Sequence, residues 1–264
     1  MEVHHPHHPT HKKKWTEYLL EFFMLFLAVF LGFLVENYRE HKVELERTEK
    51  HMHTMVENLK YDTTRYGANL RFNLVTGKGL DSFRYYISEA IEGRIDANRL
   101  YYCYWKYGRI SGNPVPNDAA MTQLKSSGLL RIVKDDSLVN QMGDYYGRIM
   151  GTLDIARTAI GKRKDQLYET YRLLFDLRGF DELEQRDTTY QTGNDAFVTL
   201  YYNDILHRNP ALKLLNTDQH NLQQLYNDVA TYELSMRSFN AYIRYCHQGA
   251  DSLMKRITKE YKFE

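Results

Sequence analysis

The sequence predicts an all-α protein: an N-terminal transmembrane helix that continues into a stalk and then a bundle of about five or six helices. Three observations predict it. From Phe22 to Val35 no side chain is polar, and with its flanks this run makes a helix of ~33 Å, enough to cross a bilayer's hydrocarbon core. Residues 36–66 then contain neither glycine nor proline and carry charges at helical spacing, such as Glu46 and Lys50 at i,i+4. Residues 222–257 hold apolar positions in an unbroken alternation of threes and fours, the mark of a heptad seam. Only 5 of the 264 residues are proline, and no run of period-two alternation is long enough to argue for a strand.

Composition narrows the function classes. Apolar residues make up 43% of the chain, enough for a packed core, and 26% are charged, as expected of a solvated surface. The formal charge is +1, so the chain lacks the basic footprint of a nucleic-acid binder, and no nucleic-acid partner is expected. The two cysteines, Cys103 and Cys246, lie far apart in sequence and are read as unpaired buried thiols.

In chain order, residues 1–14 form a polar tail that Pro6 and Pro9 keep out of regular helix. Its five histidines, His4, His5, His7, His8 and His11, are candidate ligands for a transition metal. Nothing nearby supplies a shell of supporting groups, so no bound metal and no cofactor is predicted. Residues 15–37 are the transmembrane helix, with Trp15 and Tyr18 at one edge and Tyr38 at the other, where amphipathic rings suit the interface. Lys12, Lys13 and Lys14 abut the span and place the N-terminus in the cytoplasm. Arg39, Lys42, Arg47 and Lys50 on the other side make the cation tally nearly even. The run ends without a small-x-small cleavage site, so the span is expected to be retained rather than removed as a signal peptide. Within it Glu21 is read as a membrane-embedded acid, ~9 Å along the helix from Trp15 and so near the interface.

Residues 38–76 read as a stalk helix with a broken apolar stripe (Val43, Leu45, Met52, Met55, Val56, Leu59), and residues 77–264 as the bundle domain. Gly77 and Gly79 are expected to break the stalk, with a second helix over 80–91. Tyr101, Tyr102, Tyr104, Trp105 and Tyr107 form an aromatic cluster, read as core. GRISGNPVPN at 108–117 is the clearest loop, followed by a short helix that Gly128 caps. A long helix is predicted from Asp136 to about Asp176. Inside it Gly143, Gly147 and Gly151 share one face, each costing about 0.8–1 kcal/mol against alanine. Close packing of another helix is the expected compensation. Residues 177–192 read as a connection and 194–206 as a further helix. Asp204 and His207 give a single acid-x-x-His spacing, short of what a di-iron bundle needs.

The last helix carries the seam Leu222, Leu225, Val229, Tyr232, Met236, Phe239, Ile243, Cys246, Ala250, Leu253 and Ile257. Its mix of aromatic and small residues fits an intramolecular bundle better than a regular zipper.

The stretch AAMTQLKSSGLLRIVKDDSLVNQMGDYY resembles the core of a family of uncharacterised bacterial membrane proteins found mainly in Bacteroidota. The resemblance rests on Leu124, Lys125, Ser126, Ser127, Gly128, Leu130, Ile132, Tyr145 and Tyr146. It also rests on Glu21, the apolar run and Glu36-Asn37-Tyr38-Arg39-Glu40, which departs from the family's N-N-W-x-E at the first Asn and the Trp. Neither part is a catalytic signature. The resemblance implies a single-pass anchor with a helical domain, and it carries no activity.

The expected function is a non-catalytic membrane-anchored scaffold or partner-binding protein of the bacterial envelope. It would sit in the inner membrane with its C-terminal domain in the periplasm, bound to a protein partner or to further copies of itself. Two alternatives stand beside it: an accessory subunit of an ion-driven membrane complex that uses Glu21, and an envelope enzyme with a site the sequence does not reveal.

Overall fold

A computed structural model describes residues 14–178 and 212–263. The His-rich tail, most of the 177–192 connection, the helix expected over 194–206, and Asp204 and His207 lie outside the described residues. Among the described residues the chain is helical, and extended pairing is limited to one isolated bridge, Phe175 to Leu214.

The first helix, α1, runs without interruption from Trp15 to Ile91. At 77 residues it is a rod of ~115 Å. Residues 14–42 are all exposed, and none of the apolar span is covered by the rest of the described chain. A soluble core helix would be covered; this one is long and apolar enough to cross a membrane. Coverage begins at Val43 and Glu44, and from Thr48 onward one face is buried.

That buried face corrects two expectations. Of residues 38–76, expected as a stalk, only 38–47 precede the bundle, because α1 is itself a core helix of the bundle from Thr48 on. Its seam is Thr48, Met52, Met55, Leu59, Asp62, Tyr66, Asn73, Thr76, Leu80, Phe83, Ile87 and Ala90, all buried. Apart from one gap of seven between Tyr66 and Asn73, their spacings of three and four sustain a heptad pattern. Nor does α1 break at Gly77 or Gly79, so no separate helix over 80–91 exists. Gly79 is there because the Tyr107 ring lies on it: a Cβ would meet that ring at 2.2 Å. A Cβ at Gly77 would meet nothing within 4 Å.

Next come α2 (Ala97–Cys103), whose N-cap Asp96 accepts from Arg99 N–H, and a π-helical turn, Tyr104–Gly108. Residues 109–118 cross the surface without regular structure and lead to α3 (Ala119–Ser126). Gly128 then adopts φ 72°, a left-handed cap that L side chains resist. A 3₁₀ turn, Leu129–Ile132, leads to α4 (Asp136–Gly143), whose N-cap Asp135 accepts from Ser137 N–H and Leu138 N–H. A second π-helical turn, Asp144–Ile149, joins α4 to α5 (Met150–Leu174). Together they form the long helix expected from Asp136, now ending at Leu174. The last helix is α6 (Gln219–Tyr261).

The bundle core is three rods: α1, the α4–α5 rod, and α6. Arg84 meets Glu233, Asn73 meets Asn240, and His53 meets Phe263, so α1 and α6 run antiparallel. Thr170 meets Asp228 and Gln141 meets Ser252, so α6 is also antiparallel to α4–α5. All eleven apolar seam positions from Leu222 to Ile257 are buried between the two partners. Within this chain, the seam therefore packs intramolecularly.

Candidate functional site: a polar seam beneath the 109–118 strap

The bundle interior is mostly apolar, and one line of buried polar groups runs where α1, α6 and the 109–118 segment meet. That segment acts as a strap tied at three places. Gly112 N–H donates to Asn73 Oδ1 (2.6 Å), and Asn73 Nδ2 donates to Asn240 Oδ1 on α6 (2.7 Å). Arg157 on α5 donates to Asn113 Oδ1 and to the Pro114 carbonyl, both at 2.8 Å. At the strap's end, Asn117 N–H donates to Asp62 Oδ2 (3.0 Å). The strap lies so close that a Cβ at Gly112 would stand 2.9 Å from the Asn69 carbonyl oxygen.

Asp62 is the anomaly in this seam. It is 1% exposed, its Oδ2 takes the Asn117 N–H, and its Oδ1 has no hydrogen-bond partner. Burial pushes its carboxyl up to about 6, against the lowering effects of the Asn117 bond and the Arg65 charge. Three tyrosines stand around it. The Tyr66 and Tyr145 hydroxyls share a hydrogen bond of 3.1 Å, while the buried Tyr146 hydroxyl has no partner. Burial holds all three phenols well above the ordinary tyrosine value, and the neighbouring Asp62 carboxylate adds to each. Tyr145 and Tyr146 both belong to the π-helical turn 144–149, an insertion often found where a helix must re-aim side chains.

Two other buried acids are fully provided for. Asp228, 4% exposed, accepts from Thr170 Oγ1 (2.5 Å), Gln166 Nε2 (2.7 Å) and Gln224 Nε2 (3.1 Å). Glu233, 3% exposed, accepts from Arg84 Nη1 (2.8 Å) and pairs with Arg237 through its other oxygen. Beside Glu233, a shallow groove of about 200 Å³ lies between Leu74, Gly77 and Lys78 on α1 and Met236 and Arg237 on α6.

The residues singled out from sequence fall in separate places. Glu21 lies on the exposed part of α1. In the LKSSG motif Leu124 is buried, Lys125 is exposed, and both Ser126 and Ser127 hydroxyls donate to the Gln123 carbonyl (3.2 and 2.6 Å). The motif thus terminates α3, with Gly128 as the turn. Of the tyrosine pair, Tyr145 reaches the polar seam and Tyr146 borders it. Among the described residues, the close helix packing expected at Gly143, Gly147 and Gly151 does not occur: all three are exposed, with nothing within 4 Å of a Cβ. Close approach falls instead at Gly249 on α6, where a Cβ would meet Ile149 and Tyr145 at 3.1 Å. Cys103 and Cys246 are free and buried, and burial pushes their thiols up to about 12 and about 11, away from reactivity. Among the described residues, no group of three His, Cys, Asp or Glu side chains is placed to hold a metal.

Sequence reasoning missed Asp62, Asn73 and Glu233. The available signal was that each sits at or beside a heptad position otherwise filled by apolar residues. No protein-family model matches the chain, and no curated protein or solved structure is found similar to it.

Proposed function

We propose that the chain is a membrane-anchored helical module of the bacterial envelope that binds a protein partner or further copies of itself and performs no chemistry of its own. The observation that carries this reading is the continuity of α1. One helix leaves an exposed apolar span and becomes a core rod of the bundle with no intervening hinge. Such a joint fixes the bundle rigidly relative to the bilayer, which suits a scaffold that presents a surface at a set height. Val43 follows Glu36 by about 11 Å of helix, so the bundle begins just above the headgroups. The contiguous Lys12, Lys13 and Lys14 argue for a cytoplasmic N-terminus and a periplasmic bundle at the inner membrane. The buried acids support a structural role, since Asp228 and Glu233 are engaged in hydrogen bonds and ion pairs.

The test is native mass measurement of the full chain in lipid particles cut directly from the membrane. A stoichiometric second protein or a defined homo-oligomer is the expected result. A lone monomer under conditions that preserve known membrane complexes would contradict the proposal.

A further inference from the structure

We propose that Asp62 is a proton-binding site whose occupancy sets how firmly the 109–118 strap is seated on α1. The geometry is that of a buried carboxyl group with too few donors to hold a charge. It is 1% exposed, one oxygen takes a single backbone N–H from the strap, and the other takes none. A buried carboxylate is stable when two or three donors converge on it, as they do on Asp228. Asp62 has one. With a proton bound, the uncharged group leaves no uncompensated charge beneath the strap. Without it, a lone buried carboxylate faces aromatic rings, and the relief open to it is water entering at the Asn117 end.

The surrounding groups fit this assignment. On α1, Arg65 is exposed and its guanidinium donates to Tyr61 Oη (3.2 Å), so its positive charge acts on Asp62 from the solvent side. Tyr66 on α1 and Tyr145 and Tyr146 on the π-helical turn offer phenols that stay protonated. Next to Asn117 on the strap, Asp118 adds a second negative charge near Tyr146. From α6, Cys246 lies by Tyr66 and Tyr145, and the His247 ring is 6.4 Å from that of Tyr66. The strap's other ties, Asn73 to Gly112 and Arg157 to Asn113 and Pro114, carry no group that titrates in this range. The proton-linked change is therefore confined to the Asn117 end.

Two measurements on the full chain in nanodiscs test this. The first is difference infrared spectroscopy of wild-type protein with isotope-labelled aspartate, between about pH 5 and about pH 7.5. A protonated carboxyl signal should be present at the lower value, vanish at the upper, and be missing in Asp62→Asn. The second is hydrogen exchange of residues 109–118, corrected for intrinsic rates. The strap in wild type should exchange at least several-fold faster at the upper pH, while Asp62→Asn stays protected at both. Absence of the carboxyl signal in wild type, or its persistence in Asp62→Asn, overturns the assignment. Equal strap protection in wild type at the two pH values overturns the coupling. Both wild-type readings stand even if the variant does not fold.

Discussion

Asp62, Asp228 and Glu233 are buried alike and provided for differently, and the difference sets what each change should do. Glu233 neutralises two arginines, one of them, Arg84, with a side chain 33% exposed. Glu233→Ala should destabilise the bundle by about 2 kcal/mol, below the usual cost of breaking a buried pair because Arg84 can turn to water. Denaturant titration of the full chain in detergent reads this, and a change within error would remove the ion pair from the stability account. Asp62 works the other way. Its folded value is raised, so its contribution is fully present below about pH 4 and is lost as pH rises through about 6. Asp135 and Asp144 are held below the usual carboxylate range, chiefly by hydrogen bonds from Arg256 and Arg148. Their contribution is present above about pH 4 and is lost on further acidification. Wild-type stability should therefore rise as pH falls from about 7 to about 5 and decline again below about 4. A monotonic fall across the whole range in thermal denaturation would contradict the reading of Asp62. None of this was visible in the sequence, where Asp62 is one acid among many on a charged helix.

At the scale of elements, legibility followed how apolar each seam is. The α6 seam can be read directly because its eleven core positions are all apolar. The α1 seam skips one position, between Tyr66 and Asn73, and Thr48, Asp62, Asn73 and Thr76 occupy four of its positions. Each polar group is satisfied, wholly or in part, by something the sequence does not display: the Glu44 carbonyl, Asn117 N–H, Gly112 and the Phe72 carbonyl. A core helix therefore read as a stalk. The glycines misled for a related reason. Gly79 looks like a helix breaker and is a seat for the Tyr107 ring, whereas Gly77 is open. Gly79→Ala should cost about 1–3 kcal/mol by displacing that ring, and Gly77→Ala should gain up to about 1 kcal/mol from helix propensity. Similar effects of both substitutions on the unfolding midpoint would argue against one continuous α1 at this point. The cap of α3 was legible, because Gly128 acts locally. The two π-helical turns were not, since they answer to packing across the bundle.

At the scale of the molecule, the apolar span and the all-helical architecture follow from patterns long enough to survive single exceptions. The strap was recognised as a loop from its glycines and prolines. Its role as a tie across α1, α5 and α6 depends on contacts between residues up to 167 positions apart. What the whole structure adds is the unbroken helix that joins the candidate membrane span to the bundle. The central claim is therefore that residues 15–91 form one unbroken rod in a membrane. Spin labels at Leu34→Cys and Tyr61→Cys, both exposed positions, report on it in lipid nanodiscs, with the two native thiols buried and unreactive. A continuous helix places the labels ~40 Å apart in a single narrow distribution. A shorter, broad or split distribution would show a hinge between span and bundle, and the account of a rigidly mounted scaffold would fail.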